Sequence, residues 1–298
     1  MKLLLLLKKT WYKKLSVKEN YMTPRISIII PCYNHGQYVR EAISSVEKCT
    51  DKHLYEMIIV NDGSTDAFTI EEMGRLASDG YHVINQVNQG LGRTRNNGIK
   101  AAKGEYILPL DSDNRIRPAY IYESIKILDA HPEIAMVYGD AEFFGDKSKR
   151  HVVGEFNLQN MMVENQIDAC AVYRKSVWEA VGGYDEKMPI MGYEDWDMWM
   201  NMTFKHYKFH YVPEILFDYR VLGNSMLRSI SVSNKKKLFR YMDEKYKGYL
   251  NMNHMNQELM KLCKRNKKVA LKLVAVLYFP KLLNFLVKRN IIKDPDIF

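Results

Sequence analysis

Carboxylates recur in this chain where apolar runs end. Asp62 lies in Asn61-Asp62-Gly63-Ser64-Thr65-Asp66, just after Met57 to Val60. Asp111-Ser112-Asp113 follows Tyr106 to Leu110, and Glu194, Asp195 and Asp197 surround Trp196. Two acids one residue apart repel each other unless a cation or hydrogen-bond donors neutralise them, so Asp111 and Asp113 point to a bound cation or a nest of donors. Plainer roles exist for the others. Asp-Gly is a turn dipeptide, and Asp66 suits a helix N-cap. Glu194, Asp195 and Asp197 suit the acidic first turn of a helix. The run Asn88-Gln89-Gly90-Leu91-Gly92 has Arg95 where a dinucleotide fingerprint needs its third glycine, so that motif fails. Trp196 and Trp199, three apart, fit a core-facing stripe better than a sugar platform.

These residues need elements to hold them. From Ile26 the chain alternates short apolar runs with helical patterns, the rhythm of a mostly parallel α/β sheet. Strands are expected at Ile26 to Pro31, Met57 to Val60, Tyr81 to Ile84 and Tyr106 to Leu110. Val39, Ala42, Ile43 and Val46 mark the core face of a helix after the first strand. Further helices are expected near Ile70 to Ala77, Thr94 to Ala102 and Pro118 to Ala130. A strand follows at Ile134 to Tyr138, then an irregular crossing segment from Asp140 to Asn165. Ala169 to Tyr173 returns to strand, Glu194 to Phe204 is a helix, and Phe209 to Val212 and Phe217 to Val221 make two more strands. In such a sheet ligands bind beyond the carboxyl ends of the strands, and the acids gather there.

The ordered set Ile28-Ile29-Ile30-Pro31-Cys32-Tyr33-Asn34, Ile59-Val60-Asn61-Asp62-Gly63-Ser64-Thr65-Asp66, Asn88-Gln89-Gly90, Arg95-Asn96-Asn97-Gly98, Leu110-Asp111-Ser112-Asp113, Gly182-Gly183-Tyr184-Asp185 and Glu194-Asp195-Trp196-Asp197 resembles the family 2 glycosyltransferases of the GT-A fold. The likeness covers about residues 26 to 228. It implies transfer of a sugar from a nucleotide sugar, usually a UDP-sugar, with inversion at the anomeric carbon. By position, Pro31, Tyr33 and Asn34 would frame the nucleotide, and Asp62 would accept a hydrogen bond from the base. Arg95 resembles the basic residue near the diphosphate. Asp111 would face the ribose or the metal, Ser112 belongs to the same nucleotide-binding set, and Asp113 would ligate Mg²⁺ or Mn²⁺. Asp195 takes the position of the general base, with Glu194 in reserve. Family members often carry a His shortly after a Tyr-Arg pair. Here Tyr219-Arg220-Val221-Leu222 has Leu222 at that place, which leaves the third protein metal ligand open; Arg220 or Arg228 could meet the phosphates instead. The alternatives are a nucleotidyltransferase, whose Gly-rich basic loop is replaced here by Cys-Tyr-Asn-His, and a non-catalytic glycan or membrane-surface binding module that keeps the fold.

Length and charge bound the rest. The 298 residues are 47% hydrophobic and 27% charged, which excludes collagen, disulfide scaffolds and wholly disordered chains. Cys32, Cys49, Cys170 and Cys263 form no CxxC pair, so a reducing, cytoplasmic setting is expected. The net charge of +9 divides into +6 over residues 1–25, +11 over 235–298 and −8 between. Nucleic acid is therefore not the expected partner, because the body that carries the motifs is acidic. Three parts are expected: a basic segment at 1–25, the GT-A domain at 26–230 and a helical basic extension at 231–298. Leu3 to Leu7 is too short for a signal peptide or a span. Val269 to Val287, interrupted by Lys272, Pro280 and Lys281, suits an interfacial helix on an anionic membrane better than a span. Peripheral attachment at the inner face of the cell membrane follows, with a sugar or lipid-linked glycan as acceptor.

Overall fold

The structure, a computed structural model, describes residues 23–162, 165–222 and 232–247. Strand β1 (Ile26–Cys32) is buried along its whole length. An unbroken apolar run of this kind belongs to a strand covered on both faces. Alternation divides it between two cores. Ile28 and Ile30 face helices α1 (Gly36–Glu47), α2 (Ala67–Ser78) and α4 (Pro118–Ala130), while Ile29 joins a second core with α3 (Leu91–Ala101), α6 (Lys175–Val181) and α7 (Glu194–Phe204). Strands β2 (Tyr55–Asp62), β3 (His82–Gln86) and β4 (Tyr106–Pro109) complete a parallel half ordered β3-β2-β1-β4.

The second half is mixed. Strand β8 (Val172–Arg174) runs antiparallel to β4, and β6 (Ile134–Gly145) runs antiparallel to β8. Strand β9 (Lys208–Val221) lies parallel to β6, and the short β5 (Arg115–Ile116) closes this side antiparallel to β9. The α/β architecture and the parallel nucleus are as expected, whereas two local expectations need correction. The segment from Asp140 to Asn165 is not irregular throughout: β6 continues to Gly145, β7 (Lys149–His151) folds back on it, and a helical turn α5 spans Leu158–Met161. Its polar, charged residues hide a hairpin whose period is too short to read. The two strands expected between Phe209 and Val221 are one, because Pro213 and Glu214 form a bulge: Gly139 pairs with Val212 and Asp140 with Ile215.

Helix α8 (Val232–Lys245) docks on the second core. Leu238, Met242 and Tyr246 are buried there with Trp196 and Trp199. The expected boundary near residue 230 falls in 223–231, outside the described residues, as do Arg228, the Leu3 to Leu7 run and the Val269 to Val287 stretch. Cys32, Cys49 and Cys170 are free and buried. Among the described residues no helix is long and apolar enough to cross a membrane.

Candidate active site

The loops after β1, β2 and β4 meet along one edge of the sheet. After β1, Tyr33 is exposed and Asn34 takes a left-handed backbone at φ 54°. Asn tolerates that region better than most residues. Its side chain ties two loops together: Oδ1 accepts from the backbone of Thr65 at 2.7 Å and of Asp66 at 3.1 Å, and Nδ2 donates to Thr65 Oγ1 at 3.2 Å. Pro31 is buried at the end of the strand. Asp66 caps α2 through Thr69 N at 2.8 Å, the plain role its position offered.

Asp62, at the end of β2, is 4% exposed, and its carboxylate organises the loop before α3. Oδ1 accepts from Gln86 Nε2 and Gln89 N, both at 2.8 Å, and Oδ2 from Gly90 N at 3.0 Å. Gly63 at φ 67° packs against this loop so closely that a Cβ would lie 2.5 Å from Asn88 N.

Helix α3 carries three adjacent polar residues into three networks. Arg95 is 2% exposed; one terminal nitrogen donates to Asp111 Oδ1 and the other to Glu194 Oε1, each at 2.7 Å. Its Nε is buried with no hydrogen-bond partner among the described residues. Asn96 holds the Gly182-Gly183-Tyr184 turn, donating to Tyr184 O at 2.8 Å and accepting from Tyr184 N at 2.9 Å and Trp178 Nε1 at 3.1 Å. Asn97 donates to Gln86 Oε1 at 2.7 Å. The helix comes this close to the sheet because Gly98 has no side chain: a Cβ there would stand 2.5 Å from Ile29 Cγ2.

Asp111, Ser112 and Asp113 follow β4. Ser112 is buried against the Cys32 thiol. Burial, then the charge of Asp111, pushes the Asp113 carboxyl up to about 6. Arg220, at the end of β9, clamps this loop: its Nε donates to Asp113 O at 2.9 Å, its backbone N donates to Asn114 Oδ1 at 2.8 Å, and its guanidinium also pairs with Glu41. Leu222 follows directly. Among the described residues no three His, Cys, Asp or Glu side chains gather as a metal cage.

The acids at the start of α7 part company. Glu194 is 3% exposed, with Oε1 on Arg95 and Oε2 accepting from Gly192 N at 2.7 Å. Asp195 accepts from Trp196 N and from Asn165 Nδ2, each at 2.8 Å. Burial, followed by the charge of Glu194, pushes its carboxyl up to about 8, against the pull of Arg95. Asp197 turns away to Lys245 on α8, which reaches its two oxygens at 2.9 and 2.7 Å and Asp185 at 2.6 Å. Trp196 and Trp199 donate to Met161 O at 2.6 Å and Ile167 O at 3.0 Å from inside the core, as expected.

Asp168 belongs to the same site, although no motif marks it. Burial and the charge of Asp111 lift it to about 7. Inspecting the residues after each strand misses it because it precedes one: β8 runs antiparallel to β4, so the start of β8 lies beside the end of β4. An acid placed immediately before an apolar run was the available signal. The Tyr219 phenol is held above its usual range first by burial and then by the charges of Asp168, Asp111, Asp113 and Asp195.

S. aureus TarS shares this fold. That protein, solved in complex with UDP-GlcNAc, superposes with a TM-score of 0.62 at 17% identity, covering 88% of this chain and 78% of the TarS chain. Residues 27–182 match glycosyl transferase family 2, and the chain belongs to that family. Its relatives include the putative glycosyltransferase EpsH of Bacillus subtilis (strain 168), 30% identical over 73% of this chain and 65% of EpsH. An uncharacterized glycosyltransferase of Rickettsia prowazekii (strain Madrid E) is 30% identical over 73% of this chain and 69% of its own length. Hyaluronan synthase of Pasteurella multocida is 25% identical over 96% of this chain but only 32% of its own length. This membership sets the nucleotidyltransferase alternative aside.

Proposed function

We propose that the chain transfers a sugar from a UDP-sugar to a hydroxyl of a glycan or lipid-linked glycan, with inversion, in the synthesis of a surface polysaccharide. The observation that carries this reading is the Arg95 guanidinium held at 2.7 Å by both Asp111 and Glu194, which ties the Asp111–Asp113 loop beyond β4 to the start of α7, where Asp195 lies. One cluster thereby holds acids for both sides of a displacement. The UDP and UDP-GlcNAc bound by TarS support the donor class.

On the donor side Tyr33 offers its exposed ring to the nucleotide, framed by Pro31 and Asn34, and Asp62 holds the neighbouring loop and faces the base. Asp113 and Asp111 supply hard oxygen ligands, and Asp113 is strained by a like charge, a donor set that fits Mg²⁺ or Mn²⁺. Diphosphate oxygens and water would complete the shell in place of a third protein ligand. The cation would neutralise the charge gathering on the departing nucleoside diphosphate. On the acceptor side Asp195 takes the proton of the attacking hydroxyl through a carboxylate oriented by Trp196 N and Asn165. Burial raises its proton affinity above that of an ordinary carboxylate, which suits it to that task.

The basic segments at 1–25 and beyond residue 247 would bind an anionic membrane at its cytoplasmic face, where a lipid-linked acceptor is presented. The test of function is release of UDP from a panel of UDP-sugars with Mn²⁺ and sugar acceptors, with the anomeric configuration of the product read by NMR.

A further inference from the structure

Arg95 is one cation shared by two carboxylates from different halves of the site. It leaves the buried face of α3 at 2% exposure and reaches Asp111 beyond β4 and Glu194 at the start of α7, both at 2.7 Å. The carboxylates are unequal. Glu194 is 4% exposed at its side chain and also takes Gly192 N at 2.7 Å, whereas Asp111 is 32% exposed. Glu194 is thus spent on the protein, and Asp111 is the more exposed of the two. Arg95 is enclosed, and among the described residues its Nε has no hydrogen-bond partner, so its hydrogen bonds run to the two carboxylates.

We propose that Glu194 is a positioning residue for the donor side of the site, acting through Arg95 to set the charge and orientation of Asp111. The inference rests on the proposed function and departs in two assignments from what the family resemblance implies. Glu194 is not a second base, and Arg95 serves the donor through Asp111 rather than by meeting the diphosphate. The physical reason is competition for one guanidinium. While Glu194 holds half of the fork, Asp111 keeps enough negative charge to favour a cation and a ribose hydroxyl. Neutralising Glu194 turns the whole of Arg95 onto Asp111 and cancels that charge. Residues sharing one network couple in this way, and their substitutions are not additive.

The test is UDP binding by calorimetry, with and without Mn²⁺ and without acceptor, alongside steady-state turnover. Glu194→Gln is expected to weaken Mn²⁺-dependent UDP binding roughly tenfold, within the range of coupling between contacting residues. UDP binding without Mn²⁺ and the acceptor KM should stay within twofold. In an Arg95→Lys background, where a compact ammonium cannot span both acids, Glu194→Gln should weaken UDP binding no further. The same silence is expected in an Asp111→Asn background, which is isosteric and keeps the test open if Arg95→Lys fails to fold. Undiminished Mn²⁺-dependent UDP affinity with collapsed turnover in Glu194→Gln would assign Glu194 to the acceptor and overturn the relay alone. A full tenfold loss persisting in either background would overturn it too. A native chain that binds no UDP would overturn the proposed function and the relay with it.

Discussion

Ionising Asp195 costs the folded protein free energy, because burial and Glu194 both favour its protonated form. The sign of the linkage follows. A carboxyl whose folded-state value lies above its unfolded value, about 4, stabilises the fold least at high pH: that stability falls as pH rises from the unfolded value through about 8. Asp195→Asn is therefore expected to raise the melting temperature relative to the unaltered chain, by more at pH 9 than at pH 5, in scans without added metal. The same change should lower turnover by roughly 10² to 10⁴, the scale of a positioned base, with UDP affinity retained. A loss of UDP affinity instead would place Asp195 at the nucleotide. Asp113→Ala removes a carboxyl whose charge is disfavoured first by burial and then by Asp111, so the variant should fold at least as stably as the parent and lose Mn²⁺-dependent UDP binding. Calorimetry beside a thermal scan checks both halves of that statement.

Helix α3 and helix α8 hold these residues by opposite means. Gly98 lets α3 press on Ile29 and Val60, so Gly98→Ala should overpack the interface and cost roughly 1–3 kcal/mol, read from denaturant melts. Lys245 of α8 neutralises Asp197, which is 1% exposed at its side chain. Lys245→Met should destabilise by roughly 2–4 kcal/mol, at or below the usual loss for a broken buried pair because Lys245 is itself 25% exposed. Adding Asp197→Asn should recover part of it. The elements differ in how openly the sequence declares them. The α4 span Pro118–Ala130 and the α7 span Glu194–Phe204 stand where the apolar period and flanking residues put them. Asp66 and the two tryptophans took the structural roles their spacing allowed. Local pattern could not show that β8 enters the sheet reversed, because strand direction is a property of pairing; Asp168 was hidden for that reason. Arg95 was legible as important by its motif, but its double engagement depends on Glu194, 99 positions further along the chain.

At the scale of the whole molecule, charge and chemistry are segregated: the acidic body from 26 to 234 carries the site, and basic stretches flank it. If those stretches bind an anionic leaflet, full-length protein should float with anionic liposomes at low salt and be released at high salt, while a chain ending after residue 247 should float less. Ending there keeps the Lys245–Asp197 pair in the chain. Equal recovery of both chains in the unbound fraction would remove the membrane from the account. The central claim is that the acid edge of this sheet breaks a sugar–diphosphate bond. It is tested most directly by incubating the purified chain with UDP-sugars, Mn²⁺ and a glycan acceptor, and following free UDP and the configuration of the new linkage. Stoichiometric UDP and inverted glycoside, both abolished by Asp195→Asn, are the predicted result. Retained configuration, or undiminished UDP release by that variant, would contradict the mechanism.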